Sequence, residues 1–326
     1  MGPSLLLTAR FVEFAAGSGP FRRAHRLSSP ASWHDAQVPS TLRDLLSLLD
    51  LEAIEDDLFR GRQPDTRLQR VFGGQVAGQA LTAAARTVPS ERTVHSLHAV
   101  FVRPGDPAVP IVYDVSAIRE GRSFSTRRTA ARQHGNEIFF MTSSFQVPED
   151  GLEHQNLMPE VPAPETCPPM AEVVETQGGG SGREWEQEWA ALEMRHAGGA
   201  PAADERTGQS PENGVTRLWV RAAGQLPDDP VVHASVLTYA SDLTLLGSAL
   251  APHRTHITDG TVQAASLDHA MWFHRPHRSD EWLLYDQMSP SASGARGLAI
   301  GKLFSRDGVL VATVAQEGLI RVRDRN

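Results

Sequence analysis

The chain repeats itself. HSLHAVFVRP (95–104), EGRSFSTRR (120–128) and HGNEIFFMTSSFQ (134–146) return in the same order as ASLDHAMWFHRP (265–276), SASGARG and RDGVLVATVAQEG (306–318). In each copy a strand-like run ends in Arg-Pro and a Gly/Ser-rich crossover follows. A glycine turn then leads into a last apolar strand ending near glutamine. Pro104 and Pro276 stand 172 residues apart, and Gly135 and Gly308 stand 173 apart. Solenoid repeats recur at roughly 20–50 residues, so a period this long means a duplicated domain. A chain of 326 residues has room for both copies.

Each copy carries one helix ahead of its strands. In the first it is FGGQVAGQALTAAAR, where Gly74, Gly78, Thr82 and Ala85 share a face of small side chains. Such a face predicts close approach to a sheet. In the second it contains VLTYASDLTLL (236–246). Tyr239, Leu243, Leu246 and Leu250 recur at helical spacing and predict a core-facing stripe, with Asp242 beside it. A helix across an antiparallel sheet, made twice, is an α+β layer arrangement whose two sheets can join edge to edge.

These landmarks divide the chain. Residues 1–37 read as a flexible N-terminal extension, 38–150 as the first domain, 151–215 as a linker and 216–326 as the second domain. The linker is rich in Gly, Pro and acids, with one short helix expected over Glu184–Met194 and Trp185 and Trp189 burying one side of it. The single cysteine, Cys167, forms no internal disulfide, which points to a reducing, cytoplasmic setting. A net charge of −8 argues against a nucleic-acid binder. No run of 18 apolar residues predicts a membrane span.

Familiar chemistry is missing. There is no G-x-S-x-G nucleophile elbow, no H-E-x-x-H and no paired cysteine, so neither a nucleophilic serine of that kind nor a zinc site is supported. His269, His274 and His277 read as strand and turn residues rather than metal ligands. Three polar residues interrupt otherwise apolar elements of the second copy: Asp242 in the helix, Ser266 at the start of SLDHAMWF, and Gln316 in the last strand. A carboxylate accepts a proton from water, while a hydroxyl and an amide hold that water in place.

FGGQVAGQAL, VHSLHAVFVRPGD, YDVSAIREGRSFSTRR, YASDLTLL, LDHAMWFHRP, EWLLYDQMSPSASGARG and DGVLVATVAQEGLIR together resemble the acyl-CoA thioesterase II family, from about Val38 to Arg321. The resemblance implies a double hot-dog fold and hydrolysis of acyl-CoA without a cofactor. It assigns catalysis to Asp242, Ser266 and Gln316, with serine where threonine is expected. Aligning FGGQ with YASD sets Gln75 against Asp242, so only one copy carries the carboxylate. Gly73 and Gly74, at a helix N-terminus, are candidate donors to the thioester carbonyl. Arg103, Arg122 and Arg127 are candidate grips for coenzyme A phosphates. His95 and His98 are alternative bases. A homodimer or homotetramer is expected, because hot-dog sheets associate. Two other readings remain open: a non-catalytic acyl-CoA sensor, and a hot-dog hydratase. The hydratase is disfavoured because the first histidine after Asp242 is His253.

Overall fold

The computed structural model describes residues 41–66, 68–176, 180–199, 215–253, 255–257 and 261–323. The expected N-terminal extension lies outside the described residues, as do 200–214 of the expected linker. The first copy contributes helix α1 (Leu42–Leu49), strands β1 (Glu52–Ala53) and β2 (Leu58–Gly61), helix α2 (Gly73–Ala85) and strands β3 (Thr93–Phe101), β4 (Ile111–Glu120), β5 (Phe124–Gln133) and β6 (Asn136–Gln146). Helices α3 (Met170–Thr176) and α4 (Gly182–Trp189) and strand β7 (Leu192–Gly199) follow. The second copy has β8 (Thr216–Ala222), helix α5 (Pro230–Ser241), a 3-10 turn (Leu245–Ala249), and strands β9 (Val262–Ser266), β10 (Asp268–Phe273), β11 (Leu283–Ser293), β12 (Arg296–Ser305) and β13 (Leu310–Val322).

Read outward from the middle, the sheet runs β3-β6-β5-β4-β2 on one side and β10-β13-β12-β11-β8 on the other. The same order appears twice. The halves join through antiparallel β3 and β10, where Val100 opposes Asp268 and Ser96 opposes Trp272. This is the double hot-dog that the resemblance implies. Period-two alternation decides the faces: Phe139, Met141, Ser143 and Phe145 of β6 point into the core, while the residues between them are less buried.

The two central helices pack against each other. A Cβ on Gly74 would strike the Tyr239 backbone carbonyl, and one on Gly78 would lie 3.1 Å from the Ser235 carbonyl. Thr82 Oγ1 donates to Ser235 Oγ at 3.0 Å. The small-residue face of α2 therefore accommodates α5, not the sheet as expected. The start of α2 meets the end of α5, so the two run antiparallel.

Helix α5 ends earlier than its apolar stripe predicts. Ser241 is the last helical residue, Asp242 is the C-cap, and the chain tightens into the 3-10 turn. A side chain from outside the helix takes over one of its terminal carbonyls: the Tyr285 hydroxyl donates to the Ser241 carbonyl at 2.9 Å. Beyond the helix, Gln287 Nε2 donates to Thr244 Oγ1 at 2.6 Å. Tyr239 and Leu246 still enter the core, but not from one helix.

The expected linker is also more ordered than its composition implies. Its helix stops at Trp189, and Leu192–Gly199 is a strand paired to β8, with Leu192 opposite Ala222. Leu192, Met194 and Ala197 are buried, so the stretch answers to strand burial and not to helix propensity. The tryptophan pair does dock: Trp189 lies edge-on to Phe72 at 4.9 Å between ring centres.

Gly74→Ala is expected to cost about 1–3 kcal/mol, because the obstacle is backbone and cannot rotate away. Gly247→Ala, which meets nothing within 4 Å, should stay within about 0.5 kcal/mol of wild type. Urea unfolding of the three proteins checks both.

Candidate active site

Asp242 is held where the end of α5 meets the start of α2, with 4% of its side chain exposed. Its two oxygens have different surroundings. Oδ1 accepts from Gln316 Nε2 at 2.5 Å and lies 3.4 Å from Ser266 Oγ. Gln316 Nε2 also donates to Ser266 Oγ at 2.8 Å. Oδ2 turns toward α2: a Cβ on Gly73 would come within 2.6 Å of it and 2.9 Å of the Phe101 ring. Glycine at 73 is what lets the carboxylate sit there. The structure thus brings Asp242, Ser266, Gln316 and Gly73 into one cluster, with Gly74 next along α2.

Electrostatics favour the placement. A carboxylate at its own helix's C-terminus faces the negative pole, but this one also faces the positive pole of α2. The N-cap of α2 is Phe72, which makes no side-chain cap bond. Among the described residues, the first-turn N–H groups of α2 have no side-chain acceptor at the cap.

Ser266 reaches the cluster through a bulge. It ends β9 instead of beginning β10, opposite Gly318 of β13, whereas Ala270 of β10 opposes Ala315. One extra residue therefore stands between them on the β9–β10 side. Without it, Ser266 would share the outer face with exposed Asp268. With it, Ser266 shares the inner face with His269, Met271 and Gln316.

Other expectations separate from the site. Gln75 is not the counterpart of Asp242: it lies in the first turn of α2, bonded to Gln63 Oε1 at 2.9 Å, while Asp242 follows the last residue of α5. The residue that caps the end of α2 is Arg86, which donates to the Leu51 carbonyl and Asp50. The repeat offset fails here because the 3-10 turn and β9 are inserted between α5 and β10. Arg127 is buried, with Thr87 Oγ1 at 2.9 Å, the Thr87 carbonyl at 2.8 Å and Glu120 at 2.6 Å, so it has no capacity for a phosphate. Arg122 lies in the turn before Phe124, which opposes Gln146. The Phe101 end of β3 opposes Phe139, seven residues and about 23 Å away along the sheet. Arg103 is exposed at that Phe101 end, donating to the Glu137 carbonyl at 2.6 Å.

Neither alternative base is near. His95 bonds Ser144 at 2.8 Å toward the far end of β3, and His98 stacks edge-on to Trp272 on the outer face. Of the clustered histidines, His274 bonds Thr313 at 2.8 Å and His277 stacks on Phe273. His269 is a residue that sequence reasoning missed. It is fully buried, with Nε2 2.9 Å from Ser241 Oγ and Nδ1 3.9 Å from Asp242 Oδ1. The only signal for it was inward parity on its strand. Among the described residues no group of three or more His, Cys, Asp or Glu side chains is placed to hold a metal ion. No described helix is long and apolar enough to cross a membrane.

Burial pushes the His277 imidazole down to about 4. Unfolding restores it to about 6.5, so the unfolded chain binds the extra proton first. Its contribution is present above about 6.5 and lost as pH falls toward 4. His277→Gln should flatten that part of the stability curve, read from urea midpoints across the range.

Two family models match the chain: "Acyl-CoA thioesterase N-terminal domain" over residues 62–146 and "Acyl-CoA thioesterase" over 200–319. Human acyl-coenzyme A thioesterase 8 is 41% identical over 315 residues, covering 91% of this chain and 98% of that one. Acyl-CoA thioesterase 2 of Haemophilus influenzae is 41% identical over 289 residues, covering 86% and 98%. Among solved structures, an acyl-CoA thioesterase II from Mycobacterium marinum is 43% identical with a TM-score of 0.70, covering 86% of this chain and 99% of that one.

Proposed function

The chain belongs to the acyl-CoA thioesterase family, and on that premise we propose that it hydrolyses acyl-CoA to a free carboxylic acid and coenzyme A, with Asp242 as general base. The observation that carries this reading is the unequal treatment of the two carboxylate oxygens. Gln316 and Ser266 anchor Oδ1, which leaves Oδ2 at the N-terminus of α2 to receive a proton from water. The water oxygen attacks the thioester carbonyl carbon, and the developing oxyanion is stabilised by first-turn N–H groups of α2 around Gly73 and Gly74. The C–S bond breaks, and the departing thiolate takes the proton from Asp242. Ser266 Oγ accepts one hydrogen bond, from Gln316 Nε2, and keeps a second lone pair for the water. Arg103, exposed two residues beyond Phe101, is the contact we propose for the phosphates of the coenzyme.

A hydratase would use a histidine as well as the carboxylate. His269 supplies one in space, but its side chain is wholly buried behind Asp242 and presents no ring atom to a substrate. The sensor reading leaves the carboxylate's free oxygen without a purpose.

Asp242→Asn keeps the shape and removes the base. Thiol release from a panel of short- to long-chain acyl-CoAs should fall on the order of 10²- to 10⁴-fold, with the circular dichroism spectrum unchanged. Equal rates in both proteins would move the base elsewhere. Acyl-CoA binding without turnover by wild type would make the protein a sensor.

A further inference from the structure

Two buried polar atoms beside Asp242 lack partners of good hydrogen-bond geometry: His269 Nδ1 and Gln316 Oε1. Both belong to side chains gathered at Asp242 Oδ1, which is 3.9 Å from Nδ1 and 2.5 Å from the other end of the Gln316 amide. Orphaned polar atoms are rare in protein interiors, and two together at a candidate site need a physical account.

The hydrogen on Ser241 supplies it. That hydroxyl has two acceptors, the Thr238 carbonyl at 2.9 Å and His269 Nε2 at 2.9 Å. Were it given to Thr238, Nε2 would carry the ring hydrogen. Nδ1, Gln316 Oε1 and Asp242 Oδ1 would then be three electron-rich atoms gathered with no hydrogen from the ring between them. Given to Nε2, it leaves the ring hydrogen on Nδ1, the atom 3.9 Å from Asp242 Oδ1 in a ring that interacts with the Gln316 side chain, and both of those groups offer accepting oxygens. Burial holds the imidazole below its usual range, so the ring is neutral and carries one hydrogen. Asp242, Asp268 and a hydrogen bond with Gln316 pull in the other direction.

We propose that His269 is a positioning residue for hydrolysis: as the Nδ1–H tautomer it donates to Gln316 Oε1 and thereby fixes which end of the amide faces Asp242. The consequence is a directed chain of donors, Ser241 hydroxyl to His269, His269 to Gln316, and Gln316 Nε2 to Asp242 and Ser266. An amide is nearly symmetric in shape. If it turned over, its oxygen would face the carboxylate at 2.5 Å and the anchor on Oδ1 would become a repulsion. Ser241 itself is not a nucleophile, although hydroxyl, imidazole and carboxylate follow one another as in a serine hydrolase. It is 1% exposed and lies behind the base.

The inference rests on the reading of Asp242 as the base, and paired substitutions separate the two. In His269→Asn the side-chain amide sits where Nδ1 was and can still donate to Gln316, but it cannot reach Ser241. In His269→Gln the amide reaches Ser241 and leaves the Nδ1 position empty. A mispositioned group costs up to about 10²-fold. We therefore expect kcat to fall about 10- to 100-fold in His269→Gln with KM unchanged, and His269→Asn to recover most of that loss. A purely structural histidine predicts the reverse order, and that result overturns the proposal. So does unchanged kcat in both variants when Asp242→Asn is inactive. An active Asp242→Asn overturns the underlying reading instead. Nitrogen-15 chemical shifts of the wild-type ring give a test independent of variant folding: a protonated Nδ1 supports the proposal, and a protonated Nε2 ends it.

Discussion

Helices α2 and α5 touch along almost bare backbone, and the candidate site exists because of that contact. Gly74 and Gly78 offer no side chain to hold the helices apart, so the carbonyls of Tyr239 and Ser235 come into direct contact with α2. Antiparallel packing then sets the C-terminus of one helix against the N-terminus of the other. Asp242 is simply the residue that caps α5 at that junction. Moved one turn back it would be buried among helix side chains; moved one turn on it would lie in the 3-10 segment. The positive pole of α2 makes that point tolerable for a negative charge at the end of α5.

Duplication would allow two such junctions, since the end of α2 also meets the start of α5. The second is built differently. Its cap is Arg86, tied to Asp50 and Leu51. Its inner face is filled by Arg127, which Thr87 and Glu120 hold in place. By the repeat offset, Ser143 stands where Gln316 stands, too short to reach a helix cap. A buried cation and a short hydroxyl cannot do what a carboxylate and a long amide do, so the symmetry of the fold is not a symmetry of chemistry.

The distribution of legible and illegible features follows from range. Turn glycines, the Arg-Pro strand ends and period-two alternation are local, and they reported the repeat and the strand faces correctly. The polar trio stood out because Asp242, Ser266 and Gln316 interrupt apolar runs. The early end of α5 was hidden because Tyr285, whose hydroxyl donates to the carbonyl of its last residue, arrives from a strand more than forty residues away. Strand β7 was hidden because its hydrogen-bond partner β8 lies beyond a polar stretch, and Leu192 and Met194 suit a helix locally as well as a strand.

The amino-acid sequence by itself determined that one pattern occurs twice, that each copy is a helix followed by antiparallel strands, and that a carboxylate, a hydroxyl and an amide interrupt apolar runs of the second copy. Those are properties of pattern, and pattern is carried along the chain. Tertiary structure decided which oxygen of Asp242 is held by Gln316 and Ser266, that a one-residue bulge turns Ser266 inward, that Arg127 is already occupied, and that His269 stands beside Asp242. Each of these depends on distances between residues far apart in the chain. Such distances are set by how the two helices and the shared sheet close on one another, which no local spacing encodes.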